Sequence, residues 1–314
     1  MSRGSDVRSD AVLAYATGVL GVVPEVSRTL QGVSSVVYRL DCDDRVAYLR
    51  LGEIDEEDLT TDALLLERLG QLGVSVPEVI DVVPFHERLG RSVLIMTEVA
   101  GDDLGKCDDE TASRRVVYQA GAELAVLNSV EVDGWGWVIR DGSWPVRGTW
   151  KEQSAFVGSE LPDAWPGRLG AVLTTKQLDA LGHVFAEVPA STGVAHLAHG
   201  DFDCTHIFQA GGSYTGLIDF GEIRGTEPTF DLGHFLLHDG ETARWLLFGD
   251  LLAGYASVNS AVTLDVAAIE RSALQLGTRQ LARWMNRVDP AIAATIPIIQ
   301  ARVQKLDRLL HSHV

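Results

Sequence analysis

The segment from residue 196 to residue 231 constrains the fold of this chain more than any other. An apolar run over residues 194–198 overlaps its start and is followed by His199-Gly200-Asp201, and two further β-like runs then lead to Ile218-Asp219-Phe220-Gly221. The pattern predicts one buried strand followed by a hairpin, because short apolar runs bounded by polar turns are typical of strands. Each of the two aspartates is therefore expected at the end of a strand, with a polar loop between them.

Two aspartates in this arrangement suit metal-assisted phosphoryl transfer. Asp201 would orient an attacking hydroxyl and accept its proton late in the reaction, and Asp219 would hold Mg²⁺ on nucleotide phosphates. His206 is either a nitrogen ligand, accepted at some cost because Mg²⁺ prefers oxygen, or a hydrogen-bond partner of Asp201 or of a phosphate. His199 is expected to brace the loop through backbone contacts, and Asp203 would contact substrate or face water.

The chain before this segment is predicted to form a small α+β unit. A short helix begins near Asp10, and a second helix, TTDALLLERLGQLG, follows an acidic stretch. Five β-like runs complete the unit, over residues 26–31, 35–40, 46–51, 78–83 and 92–99. The turn that contains Gly32, Ser34 and Ser35 is either a phosphate-covering loop or a plain hairpin turn.

A buried ion pair is expected inside this unit. Alternation over residues 46–51 places Arg50 on the strand face opposite Leu49 and Leu51. Asp62 lies on the apolar side of the second helix, where an unpaired charge would be costly, so Arg50 is its predicted partner. The alternative is that Asp62 is a solvated acid of the first helical turn.

The composition changes at residues 100–103, where Ala-Gly-Asp-Asp predicts a hinge. The rest of the chain is mostly helical by pattern, so the fold is expected to be α+β with a β-rich part over residues 1–99 and a larger helical part over 100–314. Helices are predicted over 108–130, 149–158, 176–187, 231–238, 241–257, 264–287 and 291–311. Tryptophans at 135, 137, 144 and 150 either line a ligand pocket or pack an irregular segment.

The composition narrows the classes of protein that are possible. A formal net charge of −18 argues against nucleic-acid and anionic-membrane binding, and it is compatible with cationic ligands or simply with solubility. Three scattered cysteines indicate neither a disulfide framework nor a zinc site. No run of 18 apolar residues and no apolar leader occurs, so a cytoplasmic enzyme is expected.

The His-Gly-Asp motif, with position 206 five residues beyond its Asp and IDFG further on, resembles the aminoglycoside phosphotransferase family. The resemblance covers nearly the whole chain and implies a bilobal, protein-kinase-like fold. The family pattern H-G-D-x-x-x-x-N is similar to residues 199–206, with His206 in place of the Asn. The family's metal-binding Asp corresponds to Asp219, and Asp231 in GTEPTFDLG is implied to be structural.

The resemblance extends to the nucleotide-binding lobe. LQGVSSVVYRL, with Gly32, Ser34 and Ser35, resembles the hairpin that covers the phosphates. Arg50 stands where the family carries its phosphate-contacting base, and Asp62 stands at the helix acid that pairs with this base. LIMTEVAG resembles the hinge that holds the purine, which implies backbone contacts near Thr97 and Val99.

The resemblance implies an O-phosphotransferase that uses ATP or GTP and Mg²⁺ to phosphorylate a hydroxyl of a small molecule. The acceptor expected is an antibiotic of aminoglycoside, macrolide or nucleoside type, and His206 is similar to the residue in macrolide 2′-phosphotransferases. A kinase of an ordinary metabolite and a catalytically inactive nucleotide-binding protein are the alternatives. A monomer or homodimer is expected, with candidate acceptor-side residues Asp203, Glu222, His238 and Asp239.

Overall fold

The computed structural model describes residues 9–29, 36–53, 57–160, 165–186, 193–258 and 264–313. The predicted phosphate-covering turn with Gly32, Ser34 and Ser35 lies outside these residues. Among the described helices, none combines the length and the apolar character that crossing a bilayer requires.

The N-terminal part of the chain is an antiparallel five-stranded sheet with two helices, and its elements overlap the β-like runs and helical patterns predicted from the sequence. Its strands, in the spatial order β1-β2-β3-β5-β4, are β1 (Glu25–Arg28), β2 (Val36–Asp41), β3 (Val46–Leu51), β4 (Val79–His86) and β5 (Arg91–Thr97). The helices are α1 (Ser9–Leu20) and α2 (Thr60–Gln71).

Both faces of this sheet are covered, which decides the environment of Arg50. Leu49 and Ile95 lie on one face and belong to the same apolar cluster as Val12 of α1. Leu94, opposite Arg50 in the pairing of β3 with β5, belongs instead to the cluster that contains the apolar side of α2. Arg50 therefore lies on the face opposite Leu49, as predicted, yet it is buried because α2 covers that face.

The remaining chain is mostly helical and carries two smaller sheets. One sheet has the order β7-β10-β13-β8-β9 and the other β12-β11-β6. The strands are β6 (Asp102–Asp103), β7 (Glu131–Val132), β8 (Trp135–Val138), β9 (Gly148–Trp150), β10 (Ala195–Ala198), β11 (Ile207–Ala210), β12 (Ser213–Leu217) and β13 (Arg224–Thr226). The helices are α3 (Glu110–Leu127), α4 (Gln153–Glu160), α5 (Trp165–Leu169), α6 (Thr175–Ala186), α7 (Thr229–His238), α8 (Phe248–Val258), α9 (Val266–Met285), α10 (Pro290–Ala293) and α11 (Pro297–His313), with short 3₁₀ turns at Leu104–Lys106 and Phe220–Glu222.

Two predicted helices begin several residues later in the structure than in the sequence pattern. The helix expected from residue 241 begins at Phe248, because the Asp239 carboxylate accepts the backbone N–H groups of Leu247 and Phe248 and holds the preceding residues in a loop. The helix expected from residue 149 begins at Gln153, since Gly148–Trp150 pairs with β8 as a strand. Extended pairing thus overrides a helical pattern there.

The predicted hinge at residues 100–103 packs against the hairpin of β11 and β12, which lies within residues 196–231. Asp102 and Asp103 form β6, which pairs with β11, and the Thr215 hydroxyl donates to the Ala100 carbonyl at 2.7 Å. The apolar core also continues across this point, because Leu66 of α2 and Leu124 of α3 belong to one cluster. The α+β architecture with a β-rich sheet followed by a helical region confirms the predicted fold class; a division at residue 99 stays a prediction.

Candidate active site

The loop that follows β10 is held by one buried carboxylate. Asp231, near the start of α7, is fully buried and accepts the backbone N–H groups of His199 and Gly200, each at 2.9 Å. Asn128 donates its side-chain amide to the same carboxylate at 3.0 Å and to the Leu197 carbonyl at 2.8 Å. Three donors compensate the burial of this charge, so Asp231 fixes the backbone immediately before Asp201.

Gly200 is required at the tip of this turn. Its φ of +90° lies in a region that side chains disfavour, and a Cβ there would collide with the Glu222 carbonyl. This close approach brings the backbone after the second aspartate against the backbone before the first. The glycine of the motif therefore serves to bring the two carboxylate-bearing segments together.

His199 braces the same junction from inside. Its ring is fully buried, and Nε2 donates to the Ile218 carbonyl at 2.8 Å, because a carbonyl can only accept. Burial lowers the pKa of His199, with the nearby His206 adding to the effect, so the ring is neutral. His199 therefore braces the loops of Asp201 and Asp219 against each other, and it has no exposed surface that an acceptor could contact.

Asp201 forms a pair with His234, a residue on α7. Its Oδ1 lies 3.2 Å from His234 Nε2, while His234 Nδ1 lies 3.1 Å from the Phe202 carbonyl. The Asp201 carboxylate and the Phe202 carbonyl can only accept hydrogen bonds, so both ring nitrogens of His234 carry a hydrogen and the ring is an imidazolium. The Asp201 side chain is 45% exposed, in contrast to the 5% of its histidine partner, so the carboxylate remains accessible from outside.

The pKa shifts of this pair follow from the contact. Burial alone would raise the pKa of Asp201, but the hydrogen bond and charge of His234 outweigh it and lower the pKa. Burial alone would lower the pKa of His234, but the hydrogen bond to Asp201 outweighs it and raises the pKa. Asp201 is consequently an ionised acceptor at neutral pH, as a group that orients a hydroxyl must be.

His206 and Asp219 face each other across the loop. His206 Nδ1 donates to the Asp201 backbone carbonyl at 2.6 Å, which directs Nε2 toward Asp219 Oδ2 at 3.7 Å. Two ligand atoms that each lie about 2.1 Å from a shared cation are separated by less than about 4.2 Å. The separation of 3.7 Å lies within this limit and is too long for a direct hydrogen bond.

Asp219 has an unusual backbone conformation. Its φ is +63°, which makes it the one described non-glycine residue with positive φ. Its carboxylate accepts from the Gly221 N–H at 3.3 Å, and the side chain is 55% exposed. A non-glycine residue in the left-handed region costs free energy, and such positions concentrate at ligand sites.

Asp203 has a different environment from the one expected. It is buried, and Oδ1 accepts both the backbone N–H and the hydroxyl of Thr205, at 2.7 and 2.6 Å. This carboxylate stabilises the loop rather than facing water. Asp201, Asp203 and His234 nevertheless place three potential ligand atoms within 4.8 Å of one another, which is a second candidate position for a metal ion.

The predicted ion pair in the N-terminal part is present. Arg50 Nη1 lies 3.1 Å from Asp62 Oδ1, and both side chains are buried. Thr97 ends β5, where its hydroxyl accepts the Glu78 N–H at 2.8 Å. Val99 is half-buried and lies directly before the predicted hinge at residues 100–103.

The remaining acceptor-side candidates make contacts within the fold. Glu222 pairs with Arg224 at 3.1 Å and stays partly exposed. His238 lies 3.1 Å from Glu241 and stacks on His234 with ring centroids 4.5 Å apart, while Asp239 caps the loop before α8. These contacts place Glu222 beside the loop of Asp219 and leave Asp239 with a structural partner.

Two residues of the site were not anticipated from the sequence. His234 stands three residues after Asp231, so helical periodicity places both on one face of α7 and offered a signal for it. Arg140, which contacts Asp62 at 2.8 Å, follows β8 and is part of no recognisable motif.

The four tryptophans of the irregular segment have different environments. Trp135 lines a cavity of about 160 Å³ between α4 and α9, the ring of Trp137 packs against the Arg224 guanidinium, and Trp144 and Trp150 are exposed.

A β-rich sheet with a buried base–acid pair, joined to a helical part with two loop aspartates, defines a protein-kinase-like phosphotransferase. The chain belongs to the phosphotransferase enzyme family, whose sequence profile matches residues 25–268. It is accordingly a small-molecule kinase of the same family as the aminoglycoside phosphotransferases, which confirms the predicted class of enzyme.

Solved structures of this fold are similar to the chain over nearly its whole length. Aminoglycoside phosphotransferase APH(4)-Ia, in a ternary complex with ADP and hygromycin B, matches with a TM-score of 0.66 and 15% identity, over 96% of this chain and 98% of that one. Macrolide 2′-phosphotransferase MphH from Brachybacterium faecium gives 0.60 and 16%, over 95% and 98%. Amicoumacin kinase hAmiN, with AMP-PNP, Ca²⁺ and amicoumacin, gives 0.62 and 13%, over 97% and 92%. A comparison with curated protein sequences finds no match.

Proposed function

We propose that this protein transfers the γ-phosphoryl group of a nucleoside triphosphate to a hydroxyl of a small molecule, with Mg²⁺ as cofactor. The observation that carries the proposal is the Asp201–His234 pair, in which a buried imidazolium keeps a half-exposed carboxylate ionised. His234 occupies Oδ1, so the second oxygen of Asp201 is available to the acceptor hydroxyl. Asp231 and His199 hold the loop in place around it.

The proposed reaction needs little covalent chemistry from the protein. The acceptor oxygen forms a bond to the γ-phosphorus, the bond from that phosphorus to the bridging oxygen breaks, and the nucleoside diphosphate leaves. Asp201 orients the hydroxyl and accepts its proton late in the transfer. The ionised state of Asp201 at neutral pH supports this role, because a protonated carboxyl could accept no further proton.

The metal ligands we propose are Asp219 and His206. A bound Mg²⁺ would neutralise charge on the phosphates, and the exposed Asp219 carboxylate supplies the oxygen that this ion prefers. Of the two candidate positions, the group with Asp203 and His234 is less suited, because both His234 nitrogens are already donors and have no free lone pair. His206 can present a free Nε2 toward the Asp219 carboxylate.

We assign nucleotide binding to the N-terminal sheet. Arg50 would contact the phosphates while Asp62 holds its guanidinium in place. The backbone near Thr97 and Val99 would hold the purine, with Gly32, Ser34 and Ser35 covering the phosphates. Either ATP or GTP fits this assignment, so both belong in the assay.

The acceptor we propose is a hydroxylated antibiotic. Three proteins of similar fold act on or bind such antibiotics, namely hygromycin B, macrolides and amicoumacin. The formal net charge of −18 suits a cationic acceptor of the aminoglycoside type. An ordinary hydroxylated metabolite is the competing acceptor, and it should be screened in parallel by mass spectrometry for one added phosphate.

The roles of the two aspartates can be separated in one experiment. Asp201→Asn should lower kcat by at least about 10³-fold while Mg²⁺-dependent binding of AMP-PNP persists, because the variant keeps the shape of the side chain and removes the base. Asp219→Asn should instead abolish the Mg²⁺ dependence of binding. Calorimetric titration with and without Mg²⁺, alongside turnover, measures both.

Asp203→Asn is the matched control for this pair, since it changes a neighbouring acid of the same loop. Transfer at the wild-type rate by Asp201→Asn would refute the role of Asp201. Loss of Mg²⁺ dependence in Asp203→Asn, with Asp219→Asn unaffected, would move the metal to the group of Asp201, Asp203 and His234.

A further inference from the structure

Arg140 makes contacts on both sides of the candidate active site. Its Nε donates to Asp62 Oδ2 at 2.8 Å and lies 3.2 Å from Glu57 Oε1. Its Nη2 donates to the backbone carbonyls of Phe220 and Gly221, at 3.2 and 3.0 Å. One guanidinium therefore joins the acid that holds Arg50 to the turn that follows Asp219.

The segment that carries Arg140 is anchored to the start of α2. The Arg140 carbonyl accepts the Asp58 N–H at 3.0 Å, and the Gly142 N–H donates to the Thr61 hydroxyl at 2.9 Å. Gly142 has a φ of +76°, and a Cβ there would collide with the Asp58 carboxylate. The backbone on either side of Arg140 thus determines where its side chain can reach.

The charges around Arg140 balance within a buried cluster. Asp62 gives one carboxylate oxygen to Arg50 and the other to Arg140, with only 2% of its side chain exposed. Glu57 supplies the second negative charge, 3.9 Å from Arg50 and 3.2 Å from Arg140. Two cations and two anions compensate each other, and removal of one partner would leave an uncompensated buried charge.

The cluster connects Arg140 both to the residue proposed to contact the nucleotide phosphates and to the residue proposed to bind the metal. Arg50 is the proposed phosphate contact, and its guanidinium is oriented by an acid that Arg140 also holds. Asp219 is the proposed metal ligand, and the carbonyls that follow it accept from the same Arg140 side chain. Displacement of Arg140 would remove one hydrogen bond from Asp62 and, at the same time, the side-chain hydrogen bonds to the carbonyls of residues 220 and 221.

We propose that Arg140 is a positioning residue that couples the phosphate-contacting Arg50–Asp62 pair to the metal-binding turn after Asp219. The inference rests on the proposed function, since it assigns nucleotide phosphates to Arg50 and Mg²⁺ to Asp219. Arg140 touches neither nucleotide nor acceptor in this scheme; it acts through the groups that do. A purely structural role would change the stability of the fold without changing how Mg²⁺ and nucleotide bind to folded protein.

Arg140→Met tests the coupling, with AMP-PNP and Mg²⁺ as probes and calorimetric binding as the readout. The expected result is at least about tenfold weaker binding of AMP-PNP and a higher Mg²⁺ concentration for half-maximal binding, because bonds to both elements are lost. Arg140→Lys, which keeps the charge but not the forked donor geometry, should show a smaller loss of about threefold. Measurements are made at a temperature where circular dichroism shows each variant to be folded.

Arg147→Met is the matched control, because Arg147 lies in the same segment and pairs with Asp141 at the surface. Its binding of AMP-PNP should equal that of the wild type. In an Arg50→Met background, Arg140→Met should weaken AMP-PNP binding by less than it does alone, since part of its effect passes through Arg50. The Mg²⁺ dependence should still change.

The outcomes separate this proposal from the proposed function. Folded Arg140→Met or Arg140→Lys protein that binds Mg²⁺ and AMP-PNP like the wild type would overturn the role of Arg140 and leave the transferase intact. Weakened, Mg²⁺-altered binding in the variant, with no acceptor phosphorylated by the wild type, would support Arg140 and overturn the transferase. Absence of Mg²⁺-dependent binding in the wild type would overturn both.

Discussion

At the scale of single residues, the site depends on which ring nitrogens of each histidine carry a hydrogen. His199 and His206 each give a hydrogen to a backbone carbonyl, whereas His234 donates from both nitrogens and is charged. The three rings therefore have three roles: a buried brace, a candidate metal ligand and a cation that keeps Asp201 ionised. Their partners, rather than their residue type, decide among these roles.

The charged state of His234 predicts a dependence of stability on pH. The raised pKa of His234 means that its contribution is fully present below its unfolded pKa of about 6.5 and is lost as the pH rises through the folded value. The lowered pKa of Asp201 means that its contribution is present above about pH 4 and is lost in more acidic solution. The pair should stabilise the fold most between these limits.

His234→Gln should therefore lower the free energy of unfolding by about 1 kcal/mol near pH 5.5 and by much less near pH 9. The value at pH 5.5 is small because Asp201 is half exposed. Urea denaturation at the two pH values measures the difference. The acidic limb of kcat/KM should also move to higher pH, since Asp201 loses the cation that lowers its pKa. Equal losses of stability at both pH values would show that His234 is not charged in the wild type.

At the scale of elements, the start of α7 organises the loop that carries Asp201. Asp231 receives the N–H groups of residues 199 and 200, so a helix that begins at Thr229 controls a turn that follows β10. The pairing of β10 with β13 brings Ala198 opposite Arg224 and thereby sets the two loops side by side. The elements determine the distance between the carboxylates, and the side chains complete the site.

Asp231→Asn should destabilise the protein by about 2–4 kcal/mol, because an amide group would then face backbone donors that now bind a carboxylate. We expect kcat to fall with it, as the turn before Asp201 loses its anchor. Urea denaturation and turnover measure the two effects. Asp265→Asn is the control: this exposed residue caps α9, and Asn caps as well as Asp, so no change is expected.

At the scale of the whole molecule, one apolar core crosses the predicted boundary between the two parts. Leu66 and Leu69 of α2 share a cluster with Val116 and Leu124 of α3. Thr215 and β11 also hold the connecting residues 100–103 in place. The sheet and the helical part are thereby expected to unfold together.

Cooperative unfolding can be tested because all seven tryptophans lie between residues 135 and 284. Tryptophan fluorescence therefore reports the helical part, while hydrogen exchange of β2 and β3 reports the sheet. Both should give one urea midpoint, and Leu66→Ala should lower both by an equivalent of about 2–5 kcal/mol. Loss of protection in β2 and β3 at a lower urea concentration than the fluorescence change would contradict a shared core.

The local sequence by itself determined much of this protein. Its β-like runs predicted the five strands of the N-terminal sheet, and the apolar runs before the His-Gly-Asp and Asp-Phe-Gly residues predicted that Asp201 and Asp219 each follow a strand. The Arg50–Asp62 pair was also accessible, since a strand face and a helix face each present one charged residue. These inferences succeed because each depends on a pattern within a few residues or between neighbouring elements.

Only the tertiary structure decided which groups surround these residues. Asp203 proved to be a loop cap, His234 proved to be the partner of Asp201, and Arg140 reached Asp62 from 78 residues away along the chain. No local pattern specifies such contacts, because they depend on how β8, α2 and α7 pack against the same loops. The sequence determined the class of enzyme, and packing determined the charge states and partners of the residues proposed to carry out the reaction.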